Sequence, residues 1–429
     1  MIKKSVVLSI IIMIIFVQGI ALSDDGKTLK RTIDPVIIKG KDCGFILGHP
    51  INNYNLYSYK DDKLNTIPFQ IDKVINGNYV LTSGKDISKY SNNNFDKDDE
   101  LVFMAKDAGN KIKDYKFKDA LSCAEIEVID PETSDKGWVY LVLYRTVTQK
   151  SSVNYVNYDA GNLTVTAANY IAAFDIKHPV AASHYSFWKG LGGNGTNLID
   201  RVKARISMTS MGITFNPTED DIKVKEYGYV DGPVRVIIHT INKTPLMLGI
   251  SISSPEQDTI YYYTYAEFPF AVKFPIKPFA FHATIIDDFR NCMGWKFYSS
   301  TNPAGHVING KMDASDKSLD LSPWKWSVLT NEKFGFWSRC ISPPACSVKV
   351  NLYYNDNSNA VDKHEKVKGE LPGIGSDFEE GWSDLKTRSI KFNLVHFFTK
   401  SYIQGMEKEI CDVHDKPLKT SIKPFNADR

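Results

Sequence analysis

Residues Ser91–Gly109 read SNNNFDKDDELVFMAKDAG. A cluster of Asn and Asp runs into Leu101-Val102-Phe103-Met104, and another acid follows at Asp107. Asn and Asp suit turns because their side chains bond to nearby backbone and tolerate left-handed conformations. In a strand, Leu101 and Phe103 share one face while Val102 and Met104 share the other. The first reading is therefore a polar turn entering a buried strand. The alternative is a calcium loop. Asp96, Asp98 and Glu100 alternate as oxygen ligands to Ca2+ do, and Asp107 is the twelfth residue counted from Asp96. The EF-hand pattern wants Gly at the sixth position, where this chain has Leu101.

Outward from that stretch, period-2 patterns dominate and amphipathic helices are scarce. Trp138–Tyr144, Leu163–Thr166, Val234–Thr240, Thr259–Phe268, Phe279–Ile286, Ser347–Tyr354 and Ile390–Phe398 are rich in Val, Ile, Thr, Tyr and Phe. Gly, Asn, Asp and Pro separate them, so the expected class is all-β. A polar run, Arg145–Ser152, follows a strong strand and marks a boundary near residue 150. Residues 24–150 suit one small sandwich. Residues 151–429 exceed an immunoglobulin-sized unit of roughly 100 residues and suit two such units or one very large sandwich.

The first residues concern targeting. Lys3 and Lys4 precede the apolar run Val6–Val17, and Ala21-Leu22-Ser23 places small residues at a cleavage site. Residues 1–23 therefore read as a cleavable secretory signal peptide, the run being shorter than the roughly 20 apolar residues that span a bilayer; the rival reading is a retained N-terminal anchor. The expected location is exported: periplasmic, cell-surface or extracellular, with no transmembrane span after cleavage. The chain has 52 basic and 50 acidic residues, and Lys3 and Lys4 belong to the signal, so the remainder is balanced. An even balance without a basic block argues against nucleic acid and against a polybasic membrane patch. The 43% hydrophobic and 12% aromatic content supports a large core.

Six cysteines are scattered, and Cys340 and Cys346 bracket Ile-Ser-Pro-Pro-Ala in a spacing that suits a local disulfide in an exported chain. No CxxC or HExxH occurs, so zinc-ribbon and zinc-protease readings lack support, and no GxSxG elbow or phosphate-binding loop is present.

Ile67-Pro68-Phe69-Gln70-Ile71-Asp72, followed by Asp98–Gly109, resembles the opening module of a group of secreted bacterial proteins of mostly unassigned function. That group is similar to the supersandwich proteins associated with polysaccharide degradation, including rhamnogalacturonan lyase-like and galactose mutarotase-like proteins. The resemblance covers residues 45–110 and is looser beyond. It implies export, a supersandwich-like second domain and a carbohydrate context, and it transfers no catalytic residue.

The middle strands offer candidate ligand-binding residues. Alternation along Thr259–Phe268 puts Tyr261, Tyr263, Tyr265 and Glu267 on one face. Arg235 and His239 share a face of their strand, and His282 lies on another. Tyr rings, a carboxylate, Arg and His can stack on and hydrogen-bond a sugar, and the same set can serve lyase or hydrolase chemistry. The opposing reading is that Tyr fills the wide interfaces of sandwiches and that a lone strand His is structural. Catalytic residues are unassigned. Three functions stand open: a non-catalytic protein binding glycans or other cell-envelope components, a polysaccharide-active lyase or hydrolase, and a structural subunit of an envelope assembly. The enzyme requires Arg235, His239, Tyr265 or His282 to converge in one open groove.

Overall fold

The structure is a computed structural model that describes residues 26–84, 92–113, 115–177, 182–210, 212–245, 251–253, 257–273, 280–344, 346–360, 372–385 and 389–425. Residues 1–23, expected from the sequence to be a signal peptide, lie outside the described residues. Among the described residues strands dominate, joined by short 3-10 turns and one α-helix, Met406–Asp415, and every strand pairing is antiparallel. The chain is all-β.

The strand Glu100–Met104 lies at the centre of a three-stranded sheet, between Pro35–Lys39 and Phe69–Asp72. Its inward residues Leu101 and Phe103 join Val36, Ile38 and Ile71 against Leu56, Ile126, Val139 and Leu141 of a five-stranded sheet. Val102 and Met104 point the other way, onto Val234 of the following region. Both faces of the strand are covered, which is why four consecutive apolar residues are tolerated there. The turn-into-buried-strand reading of the opening stretch describes what forms.

The five-stranded sheet runs in the order Lys419–Pro424, Ala120–Ile129, Lys136–Tyr144, Tyr54–Lys60, Lys63–Thr66. Its first strand comes from the far end of the chain, with Ile422 opposite Ile126. The N-terminal sandwich thus takes an edge strand from residues beyond 400.

In the larger region a ten-stranded sheet faces a five-stranded one made of Ile213–Phe215, Ile199–Ser210, Ala280–Phe289, Gly373–Phe378 and Asn351–Asn355. A four-stranded meander, Val156–Asp159, Thr164–Ala167, Tyr170–Phe174 and Ala182–Phe187, packs into the same core. Within Ser389–Lys400, His396 and Phe398 face the inside of this sandwich, where Phe398 stacks on Tyr170 with ring centroids 4.3 Å apart. Val395 and Phe397 take the outer face, where Trp326, Trp337 and the helix residues Ile410 and Val413 cover them. Trp324, Trp326 and Trp337 are buried.

One expected strand is in fact two. Thr259–Phe268 is split by a turn at Tyr263-Thr264 into the strands Gln257–Tyr262 and Tyr265–Lys273, which pair with each other. Alternation counted across that turn fails, because the chain reverses direction within it.

Candidate functional site

Arg235 is fully buried where the two regions meet. Its Nε donates to Asp72 Oδ2 at 2.9 Å, and its Nη2 lies 2.8 Å from Asp72 Oδ2 and 2.5 Å from Glu100 Oε2. Gln70 Oε1 accepts the backbone N–H groups of Val234 and Arg235, while its Nε2 donates to Asp72 Oδ1 at 2.8 Å. Tyr79 Oη and Lys39 Nζ donate to the two oxygens of Glu100, at 2.9 and 2.7 Å. Burial alone would raise the Glu100 carboxyl, but the charge and hydrogen bonds of Arg235 hold it below its ordinary range. Gly232 has no room for a side chain, since a Cβ there would lie 2.2 Å from Gln70 Oε1. Gln70, Asp72 and Glu100 come from the IPFQID and DDELVFM motifs, so the resemblance-bearing segments are docking elements.

The other candidate ligand residues do not form one open face. Tyr265 is buried against Phe397 and Tyr262, and Tyr261 faces the opposite side of the sheet, into the sandwich interior. Tyr263, in the turn, packs on Tyr155 and lies 3.8 Å under the Lys106 ammonium. Glu267 Oε2 accepts from Asn393 at 2.8 Å. His239 Nδ1 is 2.8 Å from Asp258 Oδ1 across a strand pair. His282 lies on the facing sheet, half-exposed, with Nε2 2.6 Å from Asp377 Oδ1. Arg235, His239, Tyr265 and His282 therefore do not converge in one groove.

The calcium reading is corrected by a lysine. Lys73 Nζ lies 2.7 Å from both Asp96 Oδ2 and Asp99 Oδ2 and donates to Asn94 O at 2.6 Å, so an ammonium holds the loop together. Strand alternation turns Glu100 away toward Arg235, and Asp98 is exposed. Among the described residues, no group of three or more His, Cys, Asp or Glu side chains is placed to hold a metal ion. The Cys340–Cys346 disulfide is also absent: both are thiols packed beside the cluster of Phe378, Trp382 and Phe392. Burial pushes the Cys340 thiol up to about 12.

What the large sandwich does contain is a cavity of about 280 Å³ between its two sheets. At one end Tyr185, Tyr261 and His396 are buried; toward Ile206, Asn242 and Phe270 the walls are half-buried. Most of the lining is apolar. Glu219, its charged member, is engaged by Arg201, 3.2 Å away, by Arg205, and by the backbone N–H of Ala204 at 2.9 Å. Asn242 Nδ2 donates to Gln257 Oε1 at 2.6 Å, which leaves Asn242 Oδ1 and Gln257 Nε2 buried without partners.

At the covered end His396 and Asp287, from facing sheets, meet at 3.3 Å between Nε2 and Oδ2. Both are buried, and burial pushes Asp287 up to about 8 and His396 down to about 3. The pair is accordingly uncharged at neutral pH, with the proton on the acid. His396 Nδ1 has no hydrogen-bond partner.

Of the seven candidate ligand residues, Tyr261 reaches this cavity. His396 was legible as an inward position, sharing strand parity with Leu394 and Phe398. Its partner Asp287, more than 100 residues earlier in the sequence, carried no local signal.

No protein-family model matches the chain. No curated protein matches it either. Among solved structures it is similar to an α-mannosidase from Enterococcus faecalis V583, at 7% identity and a TM-score of 0.47, over 94% of this chain and 45% of that one. It is similar to the α-N-acetylgalactosaminidase NagBb from Bifidobacterium bifidum, at 10% identity and a TM-score of 0.34, over 55% of this chain and 36% of that one. A third is a protein described as an aldose 1-epimerase from Escherichia coli K12, at 6% identity and a TM-score of 0.34, over 55% of this chain and 98% of that one. The chain spans less than half the length of the first two. No residue role or activity is carried over from these proteins.

Proposed function

We propose that this chain is an exported, non-catalytic binding protein that holds an apolar or amphipathic component of the cell envelope between its large sheets. The inter-sheet cavity carries the reading. Its volume is about 280 Å³, roughly twice that of an apolar cavity that admits one benzene ring. Half-buried apolar walls, among them Val202, Ile206, Phe270 and Ile285, favour an occupant that removes them from water. A glycan presents many hydroxyls, and this lining offers few groups to bond them. Export rests on the character of residues 1–23. Among the described residues, no helix is long and apolar enough to cross a membrane.

The test uses N-phenyl-1-naphthylamine, a fluorophore that brightens on leaving water. Saturable enhancement with one site per chain is expected, and Ala283→Trp, which fills the cavity wall, should abolish it while leaving the circular dichroism spectrum unchanged. Enhancement that never saturates, or that survives Ala283→Trp, overturns the proposal.

A further inference from the structure

The junction of the two regions holds a group of cations separate from the cavity and independent of what the cavity binds. Three lysines from distant points of the N-terminal sandwich gather around Asp107, which is buried. Lys27 Nζ and Lys60 Nζ both donate to the backbone carbonyl of Lys106, at 3.2 and 3.1 Å, so two ammonium groups share one oxygen. The Lys106 ammonium stands 3.8 Å from the ring centre of Tyr263 and 4.2 Å from that of Tyr155, both from the larger region. Attraction to the two aromatic faces fixes its position.

Charge does not balance there. Tyr155 Oη donates to Asp107, 2.8 Å from Oδ1 and 3.0 Å from Oδ2. Among the described residues Asp107 is the acid whose charge bears on Lys27 and Lys106, and the Lys60 charge opposes it at both. Burial and that repulsion push the Lys27 ammonium down to about 8 and hold Lys106 below its ordinary range. One lysine would neutralise Asp107, and three are present. All three are half-buried, and Lys106 Nζ, open to solvent, donates no hydrogen bond among the described residues. Like charges held together partly out of water raise the free energy of the empty site, and an arriving anion lowers it.

We infer that this junction binds a phosphate group, free or as a monoester, through the ammonium groups of Lys27, Lys60 and Lys106. A phosphate monoester carries about −1.5 to −2 charge at pH 7, which matches the excess of cations over Asp107. A carboxylate would leave part of that excess uncompensated. Lysine suits the role as a point charge with several donors.

Isothermal titration of the full chain at pH 7 and constant ionic strength, with inorganic phosphate, phenyl phosphate and acetate, tests the site. Saturable phosphate binding at one per chain is expected, with acetate much weaker. Lys106→Met orphans no hydrogen-bond partner and should weaken phosphate binding about tenfold, the effect of losing one hydrogen bond to a charged group. Lys189→Met makes the same charge change at an exposed position beside Trp188 and should leave the affinity unaltered. Phenyl phosphate binding as tightly as inorganic phosphate identifies an esterified ligand, inorganic phosphate alone a free one, and either supports the site. Binding of neither, acetate equal to phosphate, or equal weakening in the two variants overturns the inference. The comparison of phosphate with acetate in the unmodified chain decides the matter even if Lys106→Met does not fold.

Discussion

Arg235 of the large region and Glu100 of the N-terminal sandwich form a buried ion pair, Nη2 to Oε2 at 2.5 Å, across 135 residues of sequence. Asp72 shares the same guanidinium. Although Lys39 also reaches Glu100, losing Arg235 leaves buried carboxylate charge uncompensated.

Arg235→Met is expected to cost about 3–5 kcal/mol, as removal of one partner from a buried pair does. Urea denaturation followed by tryptophan fluorescence measures it. Adding Asp72→Asn and Glu100→Gln to the same chain should recover part of the loss. A midpoint unmoved by Arg235→Met would show that the junction carries no stability.

Calcium is expected to leave the melting temperature unchanged at millimolar concentration, since a ligand that binds only the folded state must raise it and Lys73 already bridges Asp96 and Asp99. Lys73→Ala strands the fully buried Asp99 and should destabilise by about 3 kcal/mol. A calcium-dependent rise in Tm would restore the metal reading.

The His396–Asp287 pair predicts a pH profile. The folded chain keeps the Asp287 proton up to about 8, and His396 stays neutral down to about 3. Between the ordinary values, 3.8 for Asp and 6.5 for His, the folded chain holds one proton on the acid and the unfolded chain one on the imidazole. The pair adds no slope there. From 6.5 to about 8 the folded chain binds the extra proton, so stability falls as pH rises, by up to about 1.4 kcal/mol per pH unit. Below 3.8 the unfolded chain binds more, and stability falls as pH drops toward 3. Asp287→Asn should flatten the alkaline slope and introduce a loss on acidification below 6.5. Urea midpoints at several pH values give the answer, and identical profiles for the two chains would refute the assignment.

Removing residues 406–429 should destabilise both sandwiches at once. The helix Met406–Asp415 covers Trp337 and Phe397 of the large sheet, and Lys419–Pro424 completes the smaller one. Lower melting temperatures for two separated calorimetric transitions are expected. If only one region changed, the tail would not couple them.

The strand Ser389–Lys400 shows what was readable before folding. Its strand character was read from composition, and alternation, a local property of extended backbone, sets Leu394, His396 and Phe398 on one side. The polar run Asn92–Glu100 was likewise readable as a turn, because Asn and Asp act on their own neighbouring backbone. The tyrosine face failed for a local reason too: the Tyr263-Thr264 turn has no Gly, Pro or Asn to announce it.

By itself, then, the sequence determined the all-β class, where most of the strands lie and the buried character of Leu101–Met104. Only the tertiary structure decided that Arg235 is a docking residue, that Lys73 stands among the acids of the opening stretch, that residues 419–424 complete the first sheet, and that His396 meets Asp287 at the end of a cavity. Each of these depends on partners far apart in the chain. Periodicity specifies which side chains share a face, but what covers that face is set by segments whose distance along the sequence leaves no local trace.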